Sequence, residues 1–205
     1  MQVSRYFVVT DKILSKSRGR PRNFDAEAAL DQAQALFHAH GYDAVGVAAL
    51  TQALGINPPS FYAAFGSKGA LFEKVLARYA ASALPMDRLL APGRDPVDAL
   101  SDLLETAARI YVADPDKPGC MVLEGARAGG DNEAAAHARA FKAGSQQRIA
   151  DFVRESHSAR ADAAADYALV AMAGLSAAAR DGWDESRMMA AAHSASMAFP
   201  ALLER

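Results

Sequence analysis

The chain has 205 residues, a net charge of −2, 51% hydrophobic residues and a single cysteine. This composition excludes a wholly disordered chain, and Cys120 alone cannot form an internal disulfide or a cysteine-based zinc site. The most apolar stretch, 163–179, is built mostly of alanine and interrupted by Asp166, so it is too weakly hydrophobic to span a bilayer. Because the N-terminus also lacks the pattern of a secretory leader, we expect a cytoplasmic protein with no membrane partner.

Basic residues are concentrated at the start of the chain. Residues 1–80 carry a net charge of +3, whereas residues 81–205 carry −5. Residues 1–23 have no repeating apolar face and are predicted to form a flexible basic arm. Its segment Arg18-Gly-Arg-Pro-Arg22 is similar to an AT-hook core, in which arginines enter a narrow A·T-rich minor groove. We therefore expect Arg18, Arg20 and Arg22 to contact DNA; the alternative is a basic tail that adds only nonspecific attraction.

Three helices are predicted to follow the arm. The first begins after the N-cap candidate Asp25 and ends at Gly41. A short second helix over Val47–Leu54 leads into Gly55, and Asn57 then caps a third helix that ends near Phe65. A longer helix, two short helices and a tight glycine turn are typical of a helix-turn-helix unit.

Helical periodicity also dominates the rest of the chain. Ser67 is predicted to cap a long fourth helix that Pro85 closes. The breaks at glycine and proline then predict five further helices, at 95–113, 119–128, 131–157, 161–180 and 185–203. The sequence therefore predicts an all-α protein.

The third short helix carries the residues that suit contact with DNA. Phe61 and Phe65, four positions apart, are expected to anchor it inward, which leaves a face of short polar and small residues exposed. Such a face can approach base edges closely. Lys68 in the first turn of the next helix opposes the helix dipole, and a DNA phosphate would compensate its charge; the alternative is a solvated lysine. The DNA-binding candidates are Arg18, Arg20, Arg22, Asn57, Pro58, Ser60, Tyr62 and Lys68.

Residues 24–83 resemble the DNA-binding domain of TetR/AcrR regulators. The resemblance is carried by Ala33–Phe37, Gly41-Tyr42, Leu50–Ile56, Ser60–Lys68 and Leu71-Phe72. It implies that the helix after Gly55 reads the major groove of double-stranded DNA while Tyr62 and Lys68 hold the backbone. The family often places a phosphate-contacting Ser or Thr where this chain has Gly46, so one expected contact is absent.

The resemblance also implies an organisation and a function. We expect a basic arm at 1–23, a three-helix DNA-binding domain at 24–70 and a helical ligand-binding and dimerisation domain at 71–205. The two last long helices are apolar nearly all round, which favours a homodimer over a monomeric core. The expected function is that of a repressor released from a palindromic operator by a small molecule. The sequence identifies neither this effector nor the residues that bind it.

Other functions are weighed against this one. An enzyme is disfavoured because the sequence has no phosphate loop, nucleophile elbow, metal cluster or cofactor fingerprint, and we expect no cofactor. A helical adaptor would leave Tyr62, Lys68 and the basic arm unexplained. Cys120 lies at a predicted helix start, where it is either a sensor with a lowered pKa or a buried structural thiol. None of the five histidines shows a paired metal spacing: His38, His40, His137, His157 and His193.

Overall fold

The computed structural model describes residues 25–127 and 133–204, and all regular secondary structure within these segments is helical. The all-α prediction is therefore confirmed. The predicted basic arm, with Arg18, Arg20 and Arg22, lies outside the described residues. The helices are α1 (Ala26–His40), α2 (Val47–Leu54), α3 (Pro58–Phe65), α4 (Lys68–Ser82), α5 (Met86–Leu89), α6 (Pro96–Val112), α7 (Met121–Arg127), α8 (Glu133–Arg154), α9 (Ala161–Arg180), α10 (Glu185–Ser196) and α11 (Phe199–Leu203).

The first three helices begin and end where the caps in the sequence predict. The Asp25 carboxylate accepts hydrogen bonds from the backbone N–H groups of Glu27 and Ala28, at 3.0 and 3.2 Å. At the other end of α1, Gly41 adopts φ +78° and its N–H donates to the Phe37 carbonyl at 2.9 Å. A positive φ of this kind favours glycine, so this residue ends the helix.

The fourth helix links the N-terminal helices to the rest of the molecule. It packs on α1 and α3 on one side and on α7 and α8 on the other. Its N-cap is Ser67, as predicted, with the hydroxyl accepting from the Ala70 N–H at 2.9 Å. The helix ends at Ser82, three residues before the predicted Pro85, which instead precedes the short helix α5. Helix α5 is not predicted from the sequence, and its four residues bury Met86 and Leu89.

The C-terminal helices form a bundle around α6. This helix packs on α9 and α10 and is buried along one face from Ala99 to Tyr111, while α8 packs on α7 and α9. The single helix predicted at 185–203 is wrong: α10 ends at Ser196 and α11 begins at Phe199. Pro200 has no N–H to donate to the Ser196 carbonyl, so the regular hydrogen-bond ladder cannot continue.

Two absences within the described segments bear on function. None of their helices combines the length and the hydropathy that a membrane crossing needs. No group of three or more His, Cys, Asp or Glu side chains in residues 25–127 and 133–204 is arranged to hold a metal ion.

Candidate nucleic-acid interface

Helix α3 has two opposite faces, as its sequence predicts. The Phe61 side chain is 0% exposed and the Phe65 side chain is 6% exposed, with ring centroids 5.4 Å apart. Between them in sequence, Tyr62 is 51% exposed, and the flanking Ala63 and Ala64 are exposed too. The two buried rings hold the helix on the domain, so a face of one phenol and small side chains is left for a partner.

The start of α3 presents the remaining predicted contacts. Gly55 takes the left-handed conformation, φ +63°, that turns the chain between α2 and α3. Asn57 Oδ1 accepts a hydrogen bond from the Ser60 N–H at 2.9 Å, and Pro58 occupies the first turn, where a missing N–H is tolerated. The side chains of Asn57, Pro58 and Ser60 are all exposed, together with that of Tyr62. These four candidates therefore share one accessible end of the helix.

The Lys68 side chain already has partners inside the chain. Its Nζ donates to the Tyr42 carbonyl at 3.1 Å and lies 3.9 Å from the centroid of the Tyr42 ring. A carbonyl dipole and an aromatic face both attract a cation, so they offset the unfavourable position of Lys68 in the first turn of α4. The lysine is half-buried rather than freely solvated, and an ammonium group has three donors, of which this hydrogen bond uses one.

The start of α2 lacks a side-chain cap, as the sequence predicts. Gly46 occupies the N-cap position with φ −81° and ψ 161°, and no side-chain hydrogen bond closes the helix end. A β-carbon added at Gly46 would meet no atom within 4 Å. The site could therefore accommodate a Ser or Thr, and its glycine removes one hydroxyl from the surface beside α3.

A buried polar cluster that the sequence analysis missed joins these helices to the C-terminal bundle. His38 in α1 is 5% exposed, and its Nε2 lies 3.2 Å from the Gly119 carbonyl. The next N–H along the chain, from Cys120, donates to the Ser176 hydroxyl at 2.9 Å. Arg180 Nη2 donates to the His38 carbonyl at 3.2 Å. No local pattern reveals the cluster because its members are up to 142 positions apart in sequence.

Electrostatics in this cluster follow from burial. Burial lowers the pKa of His38, against the hydrogen bond to Gly119, because an imidazolium would lose its hydration beside Arg180 and Lys117. Burial also raises the pKa of the Cys120 thiol, which is 8% exposed. Of the two alternatives for Cys120, the sensor with a lowered thiol pKa is disfavoured, since the loss of hydration outweighs the effect of the helix end. Cys120 fits the alternative of a buried thiol.

Cys120 also lines a small, partly open cavity of about 60 Å³. The cavity lies among α4, α5, α7, α8 and α9, and most of its lining is aliphatic. Its polar lining residues are Tyr79, Cys120, Lys142 and Ser145. The cavity is therefore mainly apolar with a few polar groups, and none of the described carboxylates forms an ion pair with Lys142.

Comparison with known proteins connects this arrangement to one family. The family model described as "Bacterial regulatory proteins, tetR family" matches residues 29–75, which hold α2, α3 and most of α1 and α4. The HTH-type transcriptional repressor BdcR of Escherichia coli K12 is 41% identical over 191 residues, covering 93% of this chain and 96% of the relative. The repressor ComR of the same organism is 38% identical over 112 residues, about half of each chain.

Solved structures extend the similarity to the whole fold. The TetR family transcriptional regulator CifR, a cysteine mutant complexed with 26-bp double-strand operator DNA, is 29% identical with a TM-score of 0.79. The alignment covers 88% of this chain and all of CifR. With a full-length relative at 41% identity and the same fold, this chain belongs to the TetR family of bacterial regulatory proteins.

Proposed function

We propose that the chain represses transcription by binding a palindromic operator as a homodimer, and that a small molecule releases it. It is a DNA-binding regulator rather than an enzyme, with α1–α3 as the DNA-binding unit and the helices beyond residue 70 as the dimerisation and sensing unit. The observation that carries this proposal is the exposed end of α3, where Asn57, Pro58, Ser60 and Tyr62 face solvent. A helix of this length with small exposed side chains fits the major groove.

Each predicted contact has a proposed role. Asn57 and Ser60 contact base edges, and Pro58 and Tyr62 contact the adjoining DNA backbone. Lys68 donates a second hydrogen bond to a phosphate while it stays bonded to the Tyr42 carbonyl. Arg18, Arg20 and Arg22 add minor-groove contacts from the segment before α1. Similarity to repressors named BdcR and ComR, and to CifR bound to operator DNA, supports this assignment.

The proposed homodimer uses an exposed stripe on α9. Ala163, Asp166, Val170 and Gly174 lie on this face at helical spacing, and Val170 is 70% exposed. Near the end of the neighbouring α10, Met197 is 71% exposed. Small residues let two helices approach closely, and burial of Val170 and Met197 favours association. A twofold dimer would then present two copies of α3 to half-sites one helical turn apart.

Selection of binding sites from random DNA tests the proposal. We expect a palindrome, with binding that weakens steeply as salt rises because phosphate contacts release counterions. Lys68→Ala should weaken binding to all sequences alike and flatten the salt slope by about one unit. Lys74→Ala, which changes an exposed lysine of the same helix, is the control. A chain that enriches no DNA site, and binds proteins through the exposed stripe on α9 instead, would support the adaptor alternative.

A charge at the centre of the α9 stripe tests the dimer separately. Val170→Glu should convert the dimer to a monomer in sedimentation analysis and remove operator binding, because one α3 alone reads only half of the site. Ala143→Glu, which adds the same charge at an exposed position of α8, should leave the mass unchanged. A wild-type chain that sediments as a monomer at micromolar concentration would contradict the proposed assembly.

A further inference from the structure

One peptide group connects the DNA-binding helices, the proposed dimer helix and the cavity beside Cys120. The Gly119 carbonyl and the Cys120 N–H belong to the same planar unit. His38 of α1 contacts the oxygen at 3.2 Å, and Ser176 of α9 accepts from the N–H at 2.9 Å. No cis bond occurs in the described residues, so the two bonds point in opposite directions from one rigid plane. Rotation of this plane must alter both bonds together.

The plane is held tightly in its present position. Gly119 has φ +78°, and a β-carbon there would lie 2.9 Å from both the backbone oxygen and the hydroxyl of Ser176. Its N–H donates to the Tyr111 carbonyl at 2.8 Å. The Ser176 hydroxyl in turn donates to Glu124 at 3.1 Å, so its single proton is already used within the chain. A close-packed element of this kind shifts between discrete arrangements instead of deforming gradually.

The α1 side of the plane is fixed by two further contacts. The His38 ring meets the Tyr79 ring edge to face, with centroids 5.3 Å apart. Arg180 of α9 donates to the His38 carbonyl, which lies near the C-terminal end of α1. Loss of the Gly119 contact would leave a buried imidazole N–H without an acceptor, a costly state that favours movement of α1.

The size of the cavity determines what an occupant must do. Its volume of about 60 Å³ is far below the roughly 300–1,000 Å³ of ordinary ligand pockets. A ligand of more than a few heavy atoms that enters this partly open cavity completely has to displace part of the wall. Met86 and Met172 can adapt on one side, and Cys120 with its peptide plane forms another part of the wall.

We propose that the Gly119–Cys120 peptide plane is the lever by which an occupant of the Cys120 cavity releases the protein from DNA. The occupant is a compact, largely apolar molecule whose entry pushes Cys120, rotates the plane and separates its carbonyl from His38. The freed α1 then changes the orientation of α3 relative to the partner subunit. This inference rests on the proposed function, and His38 is its positioning residue.

The test adds bulk to the cavity through Cys120, which is the single cysteine in the chain. At mildly alkaline pH the Cys120 thiolate attacks the sulfenyl sulfur of benzyl methanethiosulfonate; a disulfide forms and methanesulfinate leaves. Dithiothreitol reverses the adduct. On the full-length protein and its selected DNA site, we expect the dissociation constant to rise about tenfold and to return after reduction. In Cys120→Ala, treatment with the same reagent should leave the dissociation constant at its untreated value.

Two variants decide whether the lever carries the effect. In His38→Leu, which cannot donate to Gly119, the adduct should change operator affinity less than about threefold. His38→Gln retains a side-chain N–H and should restore the larger response. The lever is contradicted if the adduct leaves wild-type affinity unchanged, or if His38→Leu shows the full loss. Failure of the untreated chain to bind any selected DNA would instead contradict the proposed function.

Folding and labelling are checked independently. Circular dichroism of the labelled protein should retain the helical spectrum, and mass spectrometry gives the labelled fraction. If the thiol resists labelling or the adduct unfolds the chain, Cys120→Leu supplies extra bulk genetically. It is compared with Cys120→Ala in the wild-type and His38→Leu backgrounds, and the same two outcomes support or overturn the lever.

Discussion

The exposed face of α3 and the buried joint at Gly119 are built in opposite ways. The face on α3 depends on residues within a few positions of one another: a cap at Asn57, prolines after it, and two phenylalanines four apart. The joint depends on His38, Gly119 and Ser176, which meet only after the chain has folded. The DNA-binding surface is therefore specified locally, whereas the coupling between domains is specified by long-range packing.

Substitutions at two adjacent residues of α3 should differ strongly in their effect on stability. Phe61→Ala removes a fully buried ring and should lower the free energy of unfolding by about 3–5 kcal/mol. Tyr62→Ala, one position along on the exposed face, should cost less than about 1 kcal/mol but weaken operator binding about fivefold through one lost hydrogen bond. Chemical denaturation and DNA titration of both variants measure the contrast. Equal stability losses would contradict the assignment of the two faces.

The stability of the buried joint at Gly119 should be nearly as sensitive to the addition of one methyl group. Gly119→Ala adds left-handed strain and a clash with Ser176, so the free energy of unfolding should fall by roughly 2–4 kcal/mol. Gly182→Ala has a similar positive φ of +81° but no atom within 4 Å of the added carbon, so only the strain of about 1 kcal/mol applies. Denaturant titration compares the two. If Gly119→Ala is as stable as Gly182→Ala, the close packing of Gly119 against Ser176 is contradicted.

The pH dependence of stability should report the buried histidine. Because burial lowers the pKa of His38, the unfolded chain binds this proton more readily than the folded chain. Stability is therefore retained above the ordinary histidine pKa of about 6.5 and lost as the pH falls through it. The neighbouring charges belong to Arg180, Lys117 and Asp114.

The matched variants for this pH effect are two histidines of α1. His38→Leu should flatten the fall in unfolding free energy between about pH 7 and pH 5, whereas His40→Gln, on the exposed surface, should leave it in place. Urea denaturation across this range measures both slopes. If the fall persists undiminished in His38→Leu, another group is responsible for the acid sensitivity.

A side-chain cap at the start of α2 should raise stability slightly. Gly46→Ser supplies the missing N-cap at a position with suitable backbone angles and free space, which should raise the unfolding free energy by a few tenths of a kcal/mol. The family resemblance also implies a phosphate contact from a hydroxyl at this position, so operator affinity should rise about threefold. Gly144→Ser, an exposed glycine inside α8 with open space around it, should give no DNA effect. If Gly46→Ser binds the operator with unchanged affinity, the start of α2 does not contact the DNA backbone.

Local features of the fold could be predicted from the sequence, whereas long-range contacts could not. Asp25, Asn57 and Ser67 fix helix starts through short-range hydrogen bonds, and their effect was predictable to the residue. Pro200 is a local signal for the break at Ser196, but the continuous apolar pattern across 185–203 favours a single helix. The partner of Lys68 could not be found, because the Tyr42 carbonyl lies 26 positions away. Apolar periodicity identifies buried faces, but it does not say which buried polar groups pair.

The central claim is that the exposed end of α3 reads the major groove, and methylation interference on the selected operator tests it most directly. Dimethyl sulfate modifies guanine N7, which lies in the major groove. We predict that methylation blocks binding at guanines in two half-sites about one helical turn apart, and that Ser60→Ala relieves the block at a subset of them. Binding that tolerates methylation at every guanine N7 of the operator would contradict the claim.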